Sequence, residues 1–457
     1  MIRFYLALLV SKFIYLINRI KKDERNDFPG LVANKICPKF LEYVKKPKLV
    51  ITITGTNGKT TTSTLINNKL VESGMKVSFN DWGANLQAGY TLVLLRSVNI
   101  FNKVIKDAAV LEADEKTLAY NMGMIKPNYI LVTNICKDSL RRNAHPEYIF
   151  NCINNTFKIL GSNVTAILNA NDPISSRLAL DTNTKIIYYK MCNTNENPFE
   201  NIVKDICLCP KCKTFIKYNY RNYRHIGDFY CENCDFKSFD ADFYASKVDY
   251  KNRNIEIIEN GEKTIYPLIS DTIFNAYNVL SAVTLLRTIG IDKKNIATYL
   301  ETQKVPEIRE TCVTYNNIEY YTYGTKSQNV SAASTIFEYM AKEPSIKELV
   351  FCLDEVQDDN HPTETLTWLY ETDYEFLNSP NIKKIVIGGH MYLNHKLRLL
   401  LAGVPDNKIV AVEDEKEIPK YIDKDGIEKV YVLFEIDCVT KAKNIRDAIV
   451  LKAKEDK

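Results

Sequence analysis

The chain has 457 residues, of which 46% are hydrophobic, and its 60 Lys and Arg residues almost balance its 56 Asp and Glu residues. Because that hydrophobic content can build folded cores, a chain that is disordered throughout is excluded, and a formal net charge of +4 gives no support for a dedicated nucleic-acid-binding protein. At about 150 residues per domain, the length predicts roughly three domains.

The N-terminal segment contains two short hydrophobic runs, Phe4–Val10 and Phe13–Ile17. Neither run approaches the roughly 20 residues that cross a bilayer, and no small-residue cleavage site follows them. We predict a helix that packs on the first domain of a cytoplasmic protein. The alternative is an amphipathic helix that makes a peripheral contact with the inner membrane face through nearby basic residues. Those residues are Arg3, Lys12, Arg19, Lys21 and Lys22.

A phosphate-binding loop is the strongest motif in the chain. A β-branched run at Leu49–Ile53 leads into a loop with two glycines, and a helical pattern follows from Ser63. Because the glycines let backbone amides turn toward phosphate and the helix start adds partial positive charge, this order predicts a P-loop. Lys59 would reach the β- and γ-phosphates of ATP, and the Thr60 hydroxyl would hold Mg²⁺. The predicted ATP-binding residues are Gly55, Thr56, Asn57, Gly58, Lys59, Thr60 and Thr61.

A second predicted strand, Ala108–Leu111, ends in the acidic segment Glu112–Glu115. In an open α/β sheet, ligands bind at the carboxyl ends of the strands, so we predict that Glu112 is a metal-binding carboxylate. The alternative is a solvated acidic strand end. Two further units of strand and polar turn, near residues 129–134 and 164–173, predict a mostly parallel sheet.

The loop that follows the strand near residue 130 is basic and contains Arg141, Arg142 and His145. At this edge of the sheet, such a loop could bind a nucleotide-sugar phosphate or a substrate carboxylate. A solvated charge cluster explains the same residues equally well, and the sequence does not separate the two interpretations.

Four cysteines form two Cys-x₂-Cys pairs, Cys209 with Cys212 and Cys231 with Cys234, separated by 18 residues. This spacing predicts a closed Cys₄ site for structural zinc; unmetallated thiols or a redox pair are the alternative. Aromatic and basic residues between the pairs leave open a role in stacking on bases. These are Tyr218, Tyr220, Arg221, Tyr223, Arg224 and His225.

From about residue 310 the pattern returns to strands and helices, with core strands predicted at Leu349–Leu353, Lys384–Gly388 and Lys429–Phe434. We therefore predict an α/β protein with three parts. Residues 1–46 form a helical arm, and residues 47–305 form a P-loop ATP-binding domain with a zinc-ribbon insert at about 205–238. Residues 306–457 form a Rossmann-like C-terminal domain.

These motifs, in this order, resemble the Mur ligase family. The segment Thr54–Thr60 is similar to the ATP loop of the family, and Glu112 is similar to its magnesium-binding glutamate. The resemblance also implies that Asn85 lies in the substrate-side loop. By the same resemblance, three residues would lie near the nucleotide: Asn275, Asn278 and Arg309.

The resemblance implies an amide-bond-forming reaction. ATP would phosphorylate a substrate carboxylate, and an amino acid or ammonia would attack the acyl phosphate. Lys59 and the Mg²⁺ held by Thr60 and Glu112 would stabilise the charge on the transferred phosphoryl group. The substrate would be a UDP- or lipid-linked peptide precursor of the cell wall, and the cofactors would be ATP, Mg²⁺ and structural Zn²⁺.

A Cys₄ ribbon inside the central domain resembles the MurT type, a synthetase subunit that amidates a glutamate of a lipid-linked precursor with a glutaminase partner. Where that type has an aspartate that completes the Cys–His pair of the partner, this chain has Thr365 beside Glu364. The chain also resembles the pseudomurein peptide ligases of methanogens, which need no glutaminase. We therefore favour a ligase that adds an amino acid to a nucleotide-linked peptide. The alternatives are the MurT-type subunit and, in another class, a P-loop and zinc-ribbon ATPase that binds nucleic acid.

Overall fold

The computed structural model describes residues 1–23, 26–80, 84–138, 145–195, 198–303, 310–325, 329–353, 366–423, 425–435 and 438–455. The chain divides into two compact units. The first comprises Met1–Cys136, His145–Glu196 and Ile206–Lys304, and the second comprises Lys137–Ala144, Asn197–Asp205 and Val305–Lys457. Each unit contains one large sheet with helices, so the predicted α/β class is confirmed.

Within the described residues, the first unit contains eleven strands. They are β1 Leu49–Thr54, β2 Val77–Phe79, β3 Ala108–Glu112, β4 Tyr129–Val132, β5 Thr165–Asn169, β6 Lys185–Met191, β7 Lys217–Tyr223, β8 Ile226–Tyr230, β9 Phe243–Asp249, β10 Asn254–Glu259 and β11 Glu262–Pro267. Nine of them form one sheet in the order β11-β10-β9-β6-β5-β4-β1-β3-β2, while β7 and β8 form a separate hairpin. In this sheet the neighbouring strands β9-β6-β5-β4-β1-β3-β2 are all parallel, whereas β10 is antiparallel to both β9 and β11 at one edge. Short turns join β9, β10 and β11, and such turns can connect only antiparallel neighbours.

Nine α-helices accompany these strands in the part of the unit that the structure describes. They are α1 Ile2–Ile20, α2 Phe28–Ile36, α3 Phe40–Tyr43, α4 Lys59–Glu72, α5 Gln87–Ser97, α6 Leu118–Ile125, α7 Pro146–Leu160, α8 Ile273–Thr288 and α9 Lys293–Glu301. Strand β1 lies between β3 and β4, and its residues Val50, Ile51 and Ile53 are buried. A central parallel strand is covered on both faces, which explains why β1 is a continuous hydrophobic run.

The N-terminal helices share the hydrophobic core of the first unit. Phe4, Ala7, Leu8 and Ser11 are buried along one face of α1, at the spacing of a single helical stripe. Gly30 of α2 allows a close crossing, because a Cβ atom there would lie 2.0 Å from the Ala88 carbonyl oxygen of α5. In the part of the chain that the structure describes, no helix is both long and hydrophobic enough to cross a membrane.

The elements of the second unit, in its described residues, are β12 Glu310–Tyr315, β13 Ile318–Gly324, α10 Val330–Lys342, β14 Lys347–Cys352, α11 Thr367–Glu371, β15 Ile382–Gly388, α12 Tyr392–Leu401, β16 Ile409–Val412, β17 Lys429–Phe434 and α13 Val439–Glu455. Its strands form one sheet in the order β12-β13-β17-β14-β15-β16, in which β12 is antiparallel to β13 and the other neighbours are parallel. The three core strands expected from the sequence are therefore present as β14, β15 and β17, with β14 and β15 starting up to two residues earlier.

His395 of α12 lies in the core of the second unit, where its Nδ1 atom is 2.8 Å from the Tyr374 hydroxyl. Burial lowers the pKa of His395 from 6.5 to about 3. Because the folded-state pKa is the lower one, the stabilising effect is complete above pH 6.5 and is lost as the pH falls.

We therefore expect the free energy of unfolding to fall by roughly 2 kcal/mol from pH 7 to pH 5 through the titration of His395. Urea unfolding of the wild type and of His395→Gln at both pH values would measure this loss, which should be smaller in the variant. His390→Gln, at an exposed histidine, is the matched control. An equal loss in His395→Gln and wild type would contradict the assignment.

Candidate active site

The loop between β1 and α4 depends on its two glycines. Gly55 and Gly58 have φ values of 117° and 87°, which residues with a Cβ atom rarely adopt. A side chain also has no space, since a Cβ atom on Gly58 would lie 2.2 Å from Asn278 Oδ1 and one on Gly55 would lie 2.4 Å from Thr133 Oγ1. A larger residue at either position would therefore push the loop away from its neighbours.

The end of the neighbouring strand β4 holds this loop in place. The backbone N–H of Thr56 donates to the Asn134 carbonyl at 2.9 Å, and that of Asn57 donates to Asn134 Oδ1 at 3.1 Å. The Thr133 hydroxyl donates to the Asn57 carbonyl at 2.6 Å, and the Thr56 hydroxyl donates to the Cys136 carbonyl at 3.1 Å. These contacts connect the loop directly to the strand that follows β3 in sequence.

Lys59, the first residue of α4, forms an ion pair with a glutamate that the sequence analysis did not single out. Its Nζ atom lies 2.6 Å from Glu115 Oε1 and also donates to the carbonyl of Gly55. Glu115 is buried, and burial raises its pKa while the charge of Lys59 acts in the opposite direction. The ammonium group that the P-loop motif assigns to phosphate is thus held at the loop by a buried carboxylate.

Glu112, at the end of β3, lies beside the start of α4. The Thr60 hydroxyl donates to Glu112 Oε1 at 3.2 Å, and Glu112 is buried. Asn80 fixes this strand end by accepting from the Glu112 N–H and donating to its carbonyl, both at 2.8 Å. Mg²⁺ prefers oxygen ligands and is usually held by one or two protein groups, so an adjacent hydroxyl and carboxylate suit this ion.

The predicted substrate residue Asn85 lies at the same edge of the sheet. Its backbone carbonyl accepts from the Asp114 N–H at 3.0 Å, and the carbonyl of Ala84 accepts from Asn80 Nδ2 at 2.8 Å. Asn80 therefore connects the end of β3 with the segment that contains Asn85. Sequence reasoning did not identify Asn80, since a single asparagine after a short strand carries no recognisable signal.

Asn275 and Asn278, on the first turns of α8, are both buried beside the phosphate-binding loop. Asn278 Nδ2 donates to Asn275 Oδ1 at 3.1 Å, and the Thr62 hydroxyl of α4 lies 3.5 Å from Asn278 Oδ1. Asn275 in turn donates to the Ser270 hydroxyl at 2.8 Å. The two predicted nucleotide residues thus belong to one hydrogen-bonded group that reaches α4.

His145 is the N-cap of α7, where its Nδ1 atom accepts from the Glu147 N–H at 3.2 Å. Its side chain is exposed, and Pro146 follows at the first helical position. Other residues proposed from the sequence lie outside the described residues: Arg141, Arg142, Arg309, Glu364 and Thr365.

The four cysteines of the insert lie together, with their Sγ atoms within 4.8 Å of one another. Cys209 and Cys234 are 3.5 Å apart, and Cys212 and Cys231 are 3.4 Å apart. Four thiolates that each lie about 2.3 Å from a tetrahedral Zn²⁺ would be about 3.8 Å apart. The donor set and its spacing therefore suit zinc, with no fifth position for a substrate.

The turn of the hairpin β7–β8, which lies between the two Cys pairs, is packed inside the first unit. Arg224 and His225, in its turn, are both 4% exposed, and Tyr223 is 7% exposed. Asn222 donates to the Tyr277 hydroxyl of α8 at 2.8 Å and to the Cys192 carbonyl at 3.0 Å. Buried side chains cannot stack on bases, so three of the six residues considered for nucleic-acid binding do not serve that role.

His225 contacts the end of β5 through Asp172. Its Nε2 atom lies 3.3 Å from Asp172 Oδ1, and Asp172 Oδ2 accepts from the Ile135 N–H at 2.9 Å. Burial acts to raise the pKa of Asp172, but the nearby His225 and the groups that donate to Asp172 outweigh it and lower that pKa. Asp172 therefore contacts both the hairpin and Ile135. The residues on either side of Ile135, Asn134 and Cys136, are the ones that hold the phosphate-binding loop.

Comparison with known families finds two matches along the chain. Residues 53–224 match the Mur ligase middle domain, and residues 327–436 match the MurT ligase C-terminal domain. The first match contains the phosphate-binding loop and part of the cysteine insert, including its first Cys pair.

Comparison with individual proteins gives similarity over almost the full length. Subunit MurT of the glutamine-hydrolysing lipid II isoglutaminyl synthase of Staphylococcus aureus (strain COL) is 29% identical over 430 residues, which cover 93% of this chain and 94% of that protein. The corresponding subunit of Streptococcus pneumoniae (strain ATCC BAA-255 / R6) is 26% identical, with 89% and 88% covered. Among solved structures, a pseudomurein peptide ligase type C from Methanothermus fervidus has a similar fold, with a TM-score of 0.64, 22% identity and coverage of 90% of this chain and 80% of that one.

Proposed function

We propose that this chain, which is similar to the Mur ligases, is an ATP-dependent ligase of cell-wall synthesis that converts a precursor carboxylate into an acyl phosphate that an amine then attacks. One observation carries the proposal. At the end of β1, Lys59 and its partner Glu115 lie beside the Thr60–Glu112 pair. A cation for phosphate and a pair of oxygen ligands for Mg²⁺ thus meet at one strand end, which is the arrangement that phosphoryl transfer requires.

Each residue of the loop has a proposed role. The backbone amides of Gly55–Thr61 bind the phosphates of ATP, and Lys59 donates to the β- and γ-phosphates. Asn275 and Asn278 position the nucleotide, as does Arg309. Asn85, Arg141, Arg142 and His145 are proposed to bind the precursor.

Two metals complete the proposal. Thr60 and Glu112 hold Mg²⁺, which neutralises charge on the phosphates when it is bound. The cysteines of the insert hold structural zinc. This site is closed and takes no part in the chemistry.

We further propose that ammonia is the attacking amine, supplied by a glutaminase partner to a lipid-linked precursor. Two facts support this choice over the amino-acid-adding ligase that the sequence favoured: the C-terminal region matches the MurT ligase C-terminal domain, and the curated relatives named above are MurT subunits of a glutamine-hydrolysing synthase. The chain therefore includes a region similar to the C-terminal domain of that subunit.

A ligase that adds an amino acid without a glutaminase is the second candidate. The observation that favours it is Thr365, beside Glu364, at the position where the MurT type has an aspartate for its glutaminase partner. A threonine hydroxyl does not orient and charge-stabilise a histidine as a carboxylate does. Both candidates use the same ATP chemistry and differ only in the source of the amine.

Incubating the purified chain with ATP, Mg²⁺ and either a lipid-linked or a UDP-linked precursor separates the candidates. We expect ADP release and an amide product, identified by mass spectrometry, when ammonium chloride is added to the lipid-linked precursor. ADP release that requires an amino acid, with no turnover of ammonium, would instead establish the second candidate. ADP formation that is independent of any precursor would contradict both.

A further inference from the structure

Helix α1 has a second hydrophobic face that the first unit does not cover. This face, which we call the outer stripe, recurs at alternating steps of four and three residues, so its members form one line along the helix. Their exposed fractions range from 51% to 88%, whereas the opposite, inward face is almost completely buried. The outer stripe consists of Ile2, Leu6, Leu9, Phe13, Leu16 and Ile20.

The charged residues of α1 border the outer stripe and have one sign. The helix contains Arg3, Lys12 and Arg19 and no acidic residue, and Lys21 and Lys22 follow it directly. At about 100° per residue, Arg3 and Lys21 lie roughly 100° to one side of the stripe and Arg19 lies roughly 100° to the other side. Long basic side chains at these edges can extend to negatively charged groups while the stripe enters a hydrophobic layer.

A nearby turn exposes further hydrophobic side chains. Asn99 Oδ1 accepts from the backbone N–H groups of Phe101 and Lys103 and so stabilises the turn. The side chain of Phe101 in this turn is 76% exposed. The turn starts next to α1, since Lys12 donates to the carbonyl of Val98. Helix α1 and this neighbouring turn therefore both expose large hydrophobic side chains, and the turn also exposes Lys103.

We propose that the outer stripe of α1 docks in the plane of an anionic lipid surface. A helix with one face on its own domain and the opposite, basic-edged hydrophobic face exposed matches the way peripheral helices lie on membranes. A second copy of the chain is the other occupant that such a stripe could accept. It is disfavoured because α1 itself contains no acidic residue, so a symmetric helix pair would bring the like charges at the basic edges of both copies together. The proposal does not depend on the ligase function.

Co-sedimentation of the full chain with lipid vesicles tests this docking without ATP or precursor. We expect the chain to pellet with vesicles of phosphatidylglycerol and phosphatidylcholine at least about tenfold more strongly than with phosphatidylcholine alone, and less as salt is added. The double variant Phe13→Gln and Leu16→Gln should lose this binding by about tenfold or more. Because both side chains are exposed, its thermal unfolding should match that of the wild type.

Ile265→Gln provides a matched control, since Ile265 lies on edge strand β11 and is 61% exposed. It should bind anionic vesicles as the wild type does. Absence of binding to anionic vesicles would overturn the proposal, and so would binding that the double variant retains. A dimer in analytical ultracentrifugation that the double variant abolishes, with no vesicle binding, would assign the stripe to a second copy instead.

Discussion

Replacing Lys59 with alanine is expected to lower the rate of precursor-dependent ADP formation by about a thousandfold or more, since one positioned cation at a transferring phosphoryl group commonly contributes that much. The Nζ atom of Lys59 is held 2.6 Å from Glu115 Oε1, at the end of β1. Alanine removes the cation and leaves the backbone of the loop in place. The measurement is ADP release at saturating precursor.

The same substitution also removes the partner of a buried carboxylate, so a loss of activity alone could reflect unfolding. Glu115 is 2% exposed, and an unpaired buried charge is strongly destabilising. In the double variant Lys59→Ala with Glu115→Gln, stability should partly recover while ADP formation stays absent. Lys69→Ala, which removes a paired lysine of the same helix, should retain ADP formation. Recovery of ADP formation in the double variant would contradict the role of Lys59 in phosphoryl transfer.

The phosphate-binding loop could be predicted because all of its signals are local: a strand, two glycines and a Lys-Thr pair follow one another in sequence. Glu115 could not be separated from Glu112 in this way. Both belong to one acidic segment, and which carboxylate meets Lys59 depends on how α4 starts relative to the end of β3. Because carboxylates usually lie at the surface, a single sequence could not predict that Glu115 is buried.

The buried turn of the hairpin shows the same limit at longer range. Tyr223, Arg224 and His225 are the residue types that bind nucleic acid, and only their contacts with Asp172 and Tyr277 reveal that they are packed inside. His145 is the opposite case, because a local signal was present. Pro directly after a capping residue is a common helix start, so this pair of residues indicates that α7 begins next to His145.

Loss of metal from the cysteine cluster is expected to weaken ATP binding as well as to unfold the insert. The double variant Cys231→Ser and Cys234→Ser should lose bound zinc, which the wild type should hold at about one ion per chain. Without the metal, the hydrophobic packing near the four cysteines is a small cluster around Phe229 and Phe236. We expect ATP affinity to fall by about tenfold, because the hairpin then no longer supports Asp172 and the segment that binds the loop.

His225→Ala separates the effect of the turn from that of the metal. It should retain zinc, since the cysteines are untouched, and lose roughly 2 kcal/mol of stability because a buried carboxylate loses a donor. The variant should reproduce the weaker ATP binding of the cysteine variant, and His225→Gln, which can still donate to Asp172, should restore part of it. Zinc content, thermal unfolding and ATP titration together measure these effects.

Lys211→Ala is the control for the surface of the insert, because Lys211 pairs with Asp235 in an exposed position next to the cysteines. It should change neither zinc content nor ATP affinity. If zinc-free protein binds ATP as tightly as the wild type, the insert is independent of the nucleotide site. If His225→Ala alone weakens ATP binding at full zinc content, the path runs from His225 through Asp172 to Ile135 and the loop. If the zinc-free protein binds ATP more weakly as well, a metal site outside the chemistry helps to hold the phosphate-binding loop in place.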